Sequence, residues 1–267
     1  MFDLEAAPRA AQVEIGGRRL EVVTYEQKAN AVTTIVMLHE GLGSVALWKD
    51  VPAQLARRTG ARVIAYSRYG YGASDVLREA RDVRYMHHEG EVVLPALLRQ
   101  LGVVRPVLFG HSDGASIALI YAGSRSGGVA GLVLEAPHVF VEDHSIHGIS
   151  AAAHTYRTSD FSGKLGRYHA DVERTFWGWN EIWLDPRFRS WNIEEYVARV
   201  TCPVLLVQGY DDEYGTQAQL RAIAARVLDT TTVMLENCGH SPHRDRPQAT
   251  LDATAAFVTR FEGKAPR

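Results

Sequence analysis

The chain is poor in cysteine: Cys202 and Cys238 are the only two in 267 residues. That is too few for a disulfide framework or a cysteine-rich metal site, and it fits a reducing compartment. There is no excess of either charge, since 29 Lys and Arg face 31 Asp and Glu for a formal net charge of -2. Nothing in that balance points to nucleic acid or an anionic membrane as a partner. No apolar run approaches the roughly 18 residues of a membrane span. The opening "MFDLEAAPRAAQVEIGG" also lacks the basic and then apolar regions of a secretory signal. Internal repeats, low-complexity tracts and linkers are missing too. The expectation is a cytoplasmic, unprocessed chain; a homodimer is compatible with it.

What is there is an ordinary globular composition, 46% hydrophobic and 22% charged, long enough for one large domain with an insertion. Short β-branched runs recur: "TTIVMLHE" (33–40), "ARVIAY" (61–66), "PVLFG" (106–110), "GLVLEA" (131–136), "PVLLVQG" (203–209) and "TTVMLE" (231–236). Runs of this kind are buried on both faces, which predicts a parallel sheet covered by helices. Two earlier runs alternate polar with apolar on either side of Gly16-Gly17, and read as an antiparallel hairpin at the sheet edge. Helical periodicity fills the intervals at 47–58, 87–102, 116–124, 217–228 and 248–262. The fold class is therefore α/β, doubly wound. One interval of about sixty residues, before "VTCPVLLVQG", has no buried-strand signal, and a loop of that length is improbable in a compact domain. It holds Trp177, Trp179, Trp183 and Trp191, and reads as a small helical cap.

The stretch "LFGHSDGASIAL" sets Ser112 between Gly110 and Gly114, after a strand signal and before a helix signal. A turn would explain a lone Gly-x-Ser-x-Gly. In this context the same residues suit a nucleophile elbow, whose sharp turn leaves no room for a Cβ at either flank. A serine hydroxyl needs a base, and the base a partner that fixes its tautomer. Asp211 and Asp212 follow the strand ending at Gly209, and Gly239-His240 follow the last strand. All these groups emerge at one edge of the sheet, where ligands bind in such folds.

With these residues in view, the chain resembles the α/β-hydrolase superfamily over nearly its whole length, in the branch carrying a helical cap after the sixth strand. The resemblance implies a mostly parallel eight-stranded sheet flanked by helices, with a core of 1–137 and 201–267 and a cap of 138–200. It implies Ser112 as nucleophile, His240 as base and Asp212 as the acid, three residues beyond the strand-ending glycine, with Asp211 as the fallback. The oxyanion donors would be the amide of Asp113 and that of Gly41, or of Leu42 if the turn is shifted by one. In "LHEGLGSVALW" the sequence departs from the family, because Glu40 stands where glycine usually follows the histidine. Two roles stay open for Glu40: a structural one, bonding backbone amides or Arg68, or a place in the pocket facing a substrate amine or hydroxyl. His39 and His111 read as hydrogen-bonding structural residues, and His138 as either structural or pocket-lining. Trp177, Trp179 and Trp183 together suggest an aromatic-lined cavity. His243 lies one helical turn from His240, but without a third ligand at suitable spacing no metal is expected, nor any organic cofactor.

The implied reaction is hydrolysis of a small-molecule ester or lactone through an acyl-enzyme. C–C bond hydrolysis of ring-cleavage products uses the same machinery, though those enzymes usually carry Asn where His111 stands. Dehalogenases and epoxide hydrolases attack with a carboxylate, which Ser112 argues against. Proline-releasing aminopeptidases have a different oxyanion turn and a tryptophan after the nucleophile. A small-molecule receptor that keeps the triad is the rival outside enzymology.

Overall fold

A computed structural model describes residues 7–26, 31–124 and 128–261. Eight strands form one sheet: Arg9–Ile15 (β1), Arg18–Tyr25 (β2), Thr34–Leu38 (β3), Arg62–Tyr66 (β4), Val107–His111 (β5), Gly131–Glu135 (β6), Val204–Gly209 (β7) and Thr230–Leu235 (β8). Their order is β1-β2-β4-β3-β5-β6-β7-β8. The β1–β2 and β2–β4 pairings are antiparallel, and all others are parallel. Gly16 and Gly17 both take positive φ, 57° and 75°, as the two-residue hairpin between β1 and β2 requires.

The helices are Val51–Thr59 (α1), Tyr85–His88 (α2), Leu94–Gln100 (α3), Asp113–Ser124 (α4), Asp143–Thr158 (α5), Phe161–Leu165 (α6), Val172–Leu184 (α7), Glu194–Val197 (α8), Gln217–Ala224 (α9), Pro242–Asp245 (α10) and Pro247–Val258 (α11). Alternate residues of the central strands face opposite layers. Val36, Leu38, Leu108 and Leu134 pack with α3, α4 and the cap. Ile35, Met37, Phe109, Val133 and Val207 pack with α1 and α11. The four helices α5–α8 lie between β6 and β7 and form the helical cap. No described helix is long and apolar enough to cross a membrane.

The helix boundaries differ from the sequence reading for local reasons. The predicted helix 47–58 splits, because Lys49 adopts φ 55° and Pro52 opens a new first turn. The stretch read as 87–102 starts at Tyr85 and passes through a π turn, Glu89–Val93, before α3. The helix expected from 116 begins at Asp113, directly after the turn at Ser112. The last helix ends at Val258 with a 3-10 turn, Thr259–Phe261, and residue 262 of that reading lies outside the described residues. The strand order reverses at β3, which pairs with β4 on one side and β5 on the other. Such a switch point opens a crevice at the carboxyl ends of the strands. The loops after β3 and β5, carrying Glu40–Leu42 and Ser112, leave the sheet there.

Candidate active site

Ser112 sits at φ 52°, a left-handed conformation that costs a non-glycine residue about 1–3 kcal/mol and persists only where the surroundings enforce it. Both flanking glycines are required sterically. A Cβ on Gly114 would lie 2.0 Å from the Leu38 carbonyl oxygen, and one on Gly110 would lie 2.6 Å from the Ala115 backbone. Helix α4 is thus pressed against β3 and β5. The Ser112 Oγ is thereby held at the start of that helix, where amides and the helix dipole favour negative charge.

The loops after β7 and β8 meet this serine. Ser112 Oγ donates to His240 Nε2 at 2.9 Å, and His240 Nδ1 donates to Asp212 Oδ1 at 2.8 Å. Asp212 is fixed by further donors: the Tyr214 and Gly215 amides reach Oδ1 at 2.9 and 3.0 Å, and Gln208 Nε2 reaches Oδ2 at 2.9 Å. Burial alone would raise the Asp212 carboxyl, but the charge and bond of His240 and the Tyr214 amide hold it well below the ordinary carboxylate range. It stays ionised beside the imidazole. Asp211 is exposed, and its amide bonds the Cys238 carbonyl, so of the two adjacent acids only Asp212 reaches the histidine.

The turn after β3 completes this arrangement. Among the described residues no acceptor engages the amides of Gly41, Leu42 or Asp113. Gly41 and Leu42 line the same cavity as Ser112 and Asp113. The turn is pinned from below by Arg68, which is fully buried and donates to the carbonyls of His39 and Glu40, each at 2.9 Å. His39 accepts from the Arg68 amide at 3.0 Å and donates to the Glu40 carbonyl at 2.7 Å. Burial and the Arg68 charge keep its pKa low, so it is neutral. His169 reaches over from the cap and donates to the Leu42 carbonyl at 2.9 Å. The Asp113 side chain turns inward. It accepts from Tyr85 Oη at 2.7 Å and Trp183 Nε1 at 3.2 Å, with Arg68 Nη2 at 3.7 Å. Arg68→Met would leave that buried carboxylate and two carbonyls short of their cation. Breaking a buried pair in this way costs about 3–5 kcal/mol. Urea unfolding of the variant should show that loss; a change under 1 kcal/mol would mean that the guanidinium is dispensable.

Glu40 does not bond Arg68 through its carboxylate; only its carbonyl does. Glu40 is among the residues that line the cavity, and its carboxylate lies 3.5 Å from His111 Nδ1, an ion-pair contact longer than a close hydrogen bond. Burial opposes both charges. Their mutual attraction nevertheless holds the Glu40 carboxyl well below its usual range and lifts His111 to about 8. His111 Nε2 donates to the His240 carbonyl at 2.7 Å, so this pair also fixes the loop carrying the imidazole. His243 hydrogen-bonds buried Glu135 at 2.6 Å. Beside His111 they form the one group of metal-ligand type among the described residues, within 4.8 Å of one another.

The cavity holds about 520 Å³. Its walls include Trp179 and Trp183, as the sequence suggested, and His138, whose ring lies 5.2 Å from Trp183 and 5.6 Å from His240. Burial and the neighbouring His240 lower His138 to about 3, so it is a neutral wall. Trp177 is a correction, since it does not line the cavity. Two positions along a helix turn the side chain by about 200°, so Trp177 faces away from Trp179. Its Nε1 donates to Glu173 at 3.0 Å and Arg157 stacks on its ring at 4.6 Å. Sequence reasoning missed Glu213, which accepts the His240 amide at 3.0 Å, and Tyr214, whose ring lies 4.8 Å from that imidazole. Both directly follow Asp212, so the loop carrying the acid was their only signal.

Comparison with known proteins shows the family. Residues 35–253 match the model of the Alpha/beta hydrolase family. The chain is 24% identical over 267 residues to the proline iminopeptidase of Saccharolobus solfataricus, covering 84% of each. It is 25% identical over 259 residues to the sn-1-specific diacylglycerol lipase ABHD11 of Mus musculus, covering 84% of this chain and 80% of the lipase. The crystal structure of the enol-lactonase from Burkholderia xenovorans LB400 superposes with a TM-score of 0.74 at 16% identity, covering 93% of this chain and 100% of that one.

Proposed function

Because the chain belongs to the Alpha/beta hydrolase family, we propose that it is a serine hydrolase that cleaves small carboxylic esters or lactones through an acyl-enzyme. The observation that carries this reading is the unbroken series Ser112–His240–Asp212 opening on a cavity beside three unengaged amides. Ser112 Oγ attacks the carbonyl carbon while His240 Nε2 takes its proton. The charge that develops on the carbonyl oxygen is met by the Asp113 amide and by that of Gly41 or Leu42, each such donor being worth about 3–4 kcal/mol. The imidazolium, steadied by Asp212, returns the proton to the leaving alcohol. Water then repeats the sequence on the acyl-serine.

A second reading, removal of an N-terminal residue, has one observation in its favour: two acidic residues, Glu40 and Glu213, are among those that line the cavity, where a substrate ammonium would seek a carboxylate. Both are already engaged, Glu213 by the His240 amide and Glu40 by His111, which favours the ester reading. One experiment separates the possibilities. An organophosphonate should label one serine per chain, Ser112, and p-nitrophenyl esters or lactones should turn over many times per second while proline p-nitroanilide does not. Labelling with turnover slower than minutes would instead make the protein a receptor. Faster release from the anilide would make it a peptidase.

A further inference from the structure

The cavity wall is chemically divided. Besides the catalytic groups its less exposed wall carries the apolar side chains of Leu42, Ile149, Leu165, Trp179 and Trp183. Toward solvent the same cavity is lined by Lys49, Lys164, Arg167 and Arg244, all of them exposed. These cations come from three separate places: the turn before α1, the cap at and just after α6, and α10 just beyond His240. Lys164 pairs with Asp160 at 3.0 Å. Lys49 lies over the Tyr168 ring, 4.1 Å from its centroid, and donates to its hydroxyl at 2.5 Å. Arg167 and Arg244 have no acidic partner among the described residues. That these groups converge is also visible at the Tyr168 phenol, whose pKa is lowered first by the Lys49 bond and charge and then by Arg167 and Arg244. None of the acids of the lining pairs with these cations: Asp113 accepts from Tyr85, Glu213 accepts the His240 amide and Glu40 lies against His111.

We infer that the cavity mouth is an anion subsite, so that the preferred substrate is an ester with an apolar body and a carboxylate or phosphate at the end that reaches Lys49, Arg167 and Arg244. This rests on the hydrolase reading above and names its substrate class. An apolar body is drawn inward by burial of its surface, whereas unpaired guanidinium groups at the rim gain only when an oxyanion supplies their missing acceptors. A neutral ester of the same length fills the interior but leaves those cations unpaired. A cationic tail is repelled.

The test uses p-nitrophenyl octanoate and its analogues ending in a carboxylate, a phosphate or a trimethylammonium group. At low ionic strength kcat/KM for the anionic esters should exceed that for the neutral one by about tenfold, the sum of several exposed pairs, and the ammonium ester should be the poorest. The preference should shrink at 0.5 M salt, where screening acts within a few ångströms. The relative rates of the carboxylate and phosphate arms identify which anion the mouth fits. In the double variant R167E/R244E the anionic-to-neutral ratio should fall below one. Equal rates for all tails, or a ratio untouched by charge reversal, would overturn the inference while leaving the hydrolase reading intact. Binding separates the opposite failure. If no ester is turned over, monomethyl suberate should still quench the tryptophan fluorescence of S112A more strongly than methyl octanoate does, and R167E/R244E should remove the difference. Absence of that difference would overturn the inference as well.

Discussion

Ser112→Ala is expected to lower kcat for ester hydrolysis by about 10⁶-fold, the scale seen when a serine hydrolase loses its nucleophile and retains only its oxyanion donors and binding. The substitution removes one oxygen and little else. The backbone at position 112 stays at φ 52° because β5, α4 and the Ser112 amide bond to the Glu135 carbonyl enforce it. Alanine carries the same Cβ as serine, so the strain is unchanged. The lost hydrogen bond to His240 concerns a side chain only 6% exposed, and a net change within about 1.5 kcal/mol is expected from it. Melting temperature and near-ultraviolet circular dichroism should therefore match wild type while turnover vanishes. A variant keeping more than a hundredth of the wild-type rate would show that Ser112 is not the nucleophile. A variant that fails to fold would leave organophosphonate labelling of wild type as the deciding measurement.

Legibility in the sequence followed the range of the interaction. The strands were readable because β5, β6 and β7 are buried on both faces and so have no polar alternation to hide their ends. The meeting of Ser112, Asp212 and His240 was readable because each lies just past the carboxyl end of a parallel strand, and parallel strands deliver all such ends to one edge. Ranges of helices failed where a single backbone angle decided them, as at Lys49. Trp177 failed because a count of aromatics in the cap says nothing about which face of α7 each ring takes. The Glu40–His111 contact and the Arg68–Asp113–Trp183 network join loops far apart in the chain, and no spacing rule reaches across such distances. The cationic mouth was invisible for the same reason: each of its residues, taken alone, is an ordinary exposed charge.

Asp212→Asn should cut kcat by about 10⁴-fold, because an amide at this position no longer selects the histidine tautomer with its proton on Nδ1 nor steadies the imidazolium. The geometry makes the outcome specific. Oδ1 receives three donors, His240 Nδ1 and the Tyr214 and Gly215 amides, while Oδ2 receives Gln208 Nε2. An asparagine oxygen kept toward the two backbone amides would turn its NH₂ toward Gln208 Nε2, placing donor against donor. Turned the other way, it would set that NH₂ against the amides and the histidine. Either orientation leaves a buried group unsatisfied, at about 1–3 kcal/mol. The pH dependence follows from the same group. Since the folded-state carboxyl titrates below its unfolded value of about 3.9, it contributes stability that is fully present above that value and is lost as pH falls through the lower folded one. The variant lacks this term, so the stability gap between the two proteins should be widest near neutral pH and should narrow progressively below about pH 4. Chemical unfolding at pH 7 and pH 3, with kcat measured at pH 7, checks both halves. A gap that stays constant across that range would mean the Asp212 carboxylate is not the ionised partner of His240.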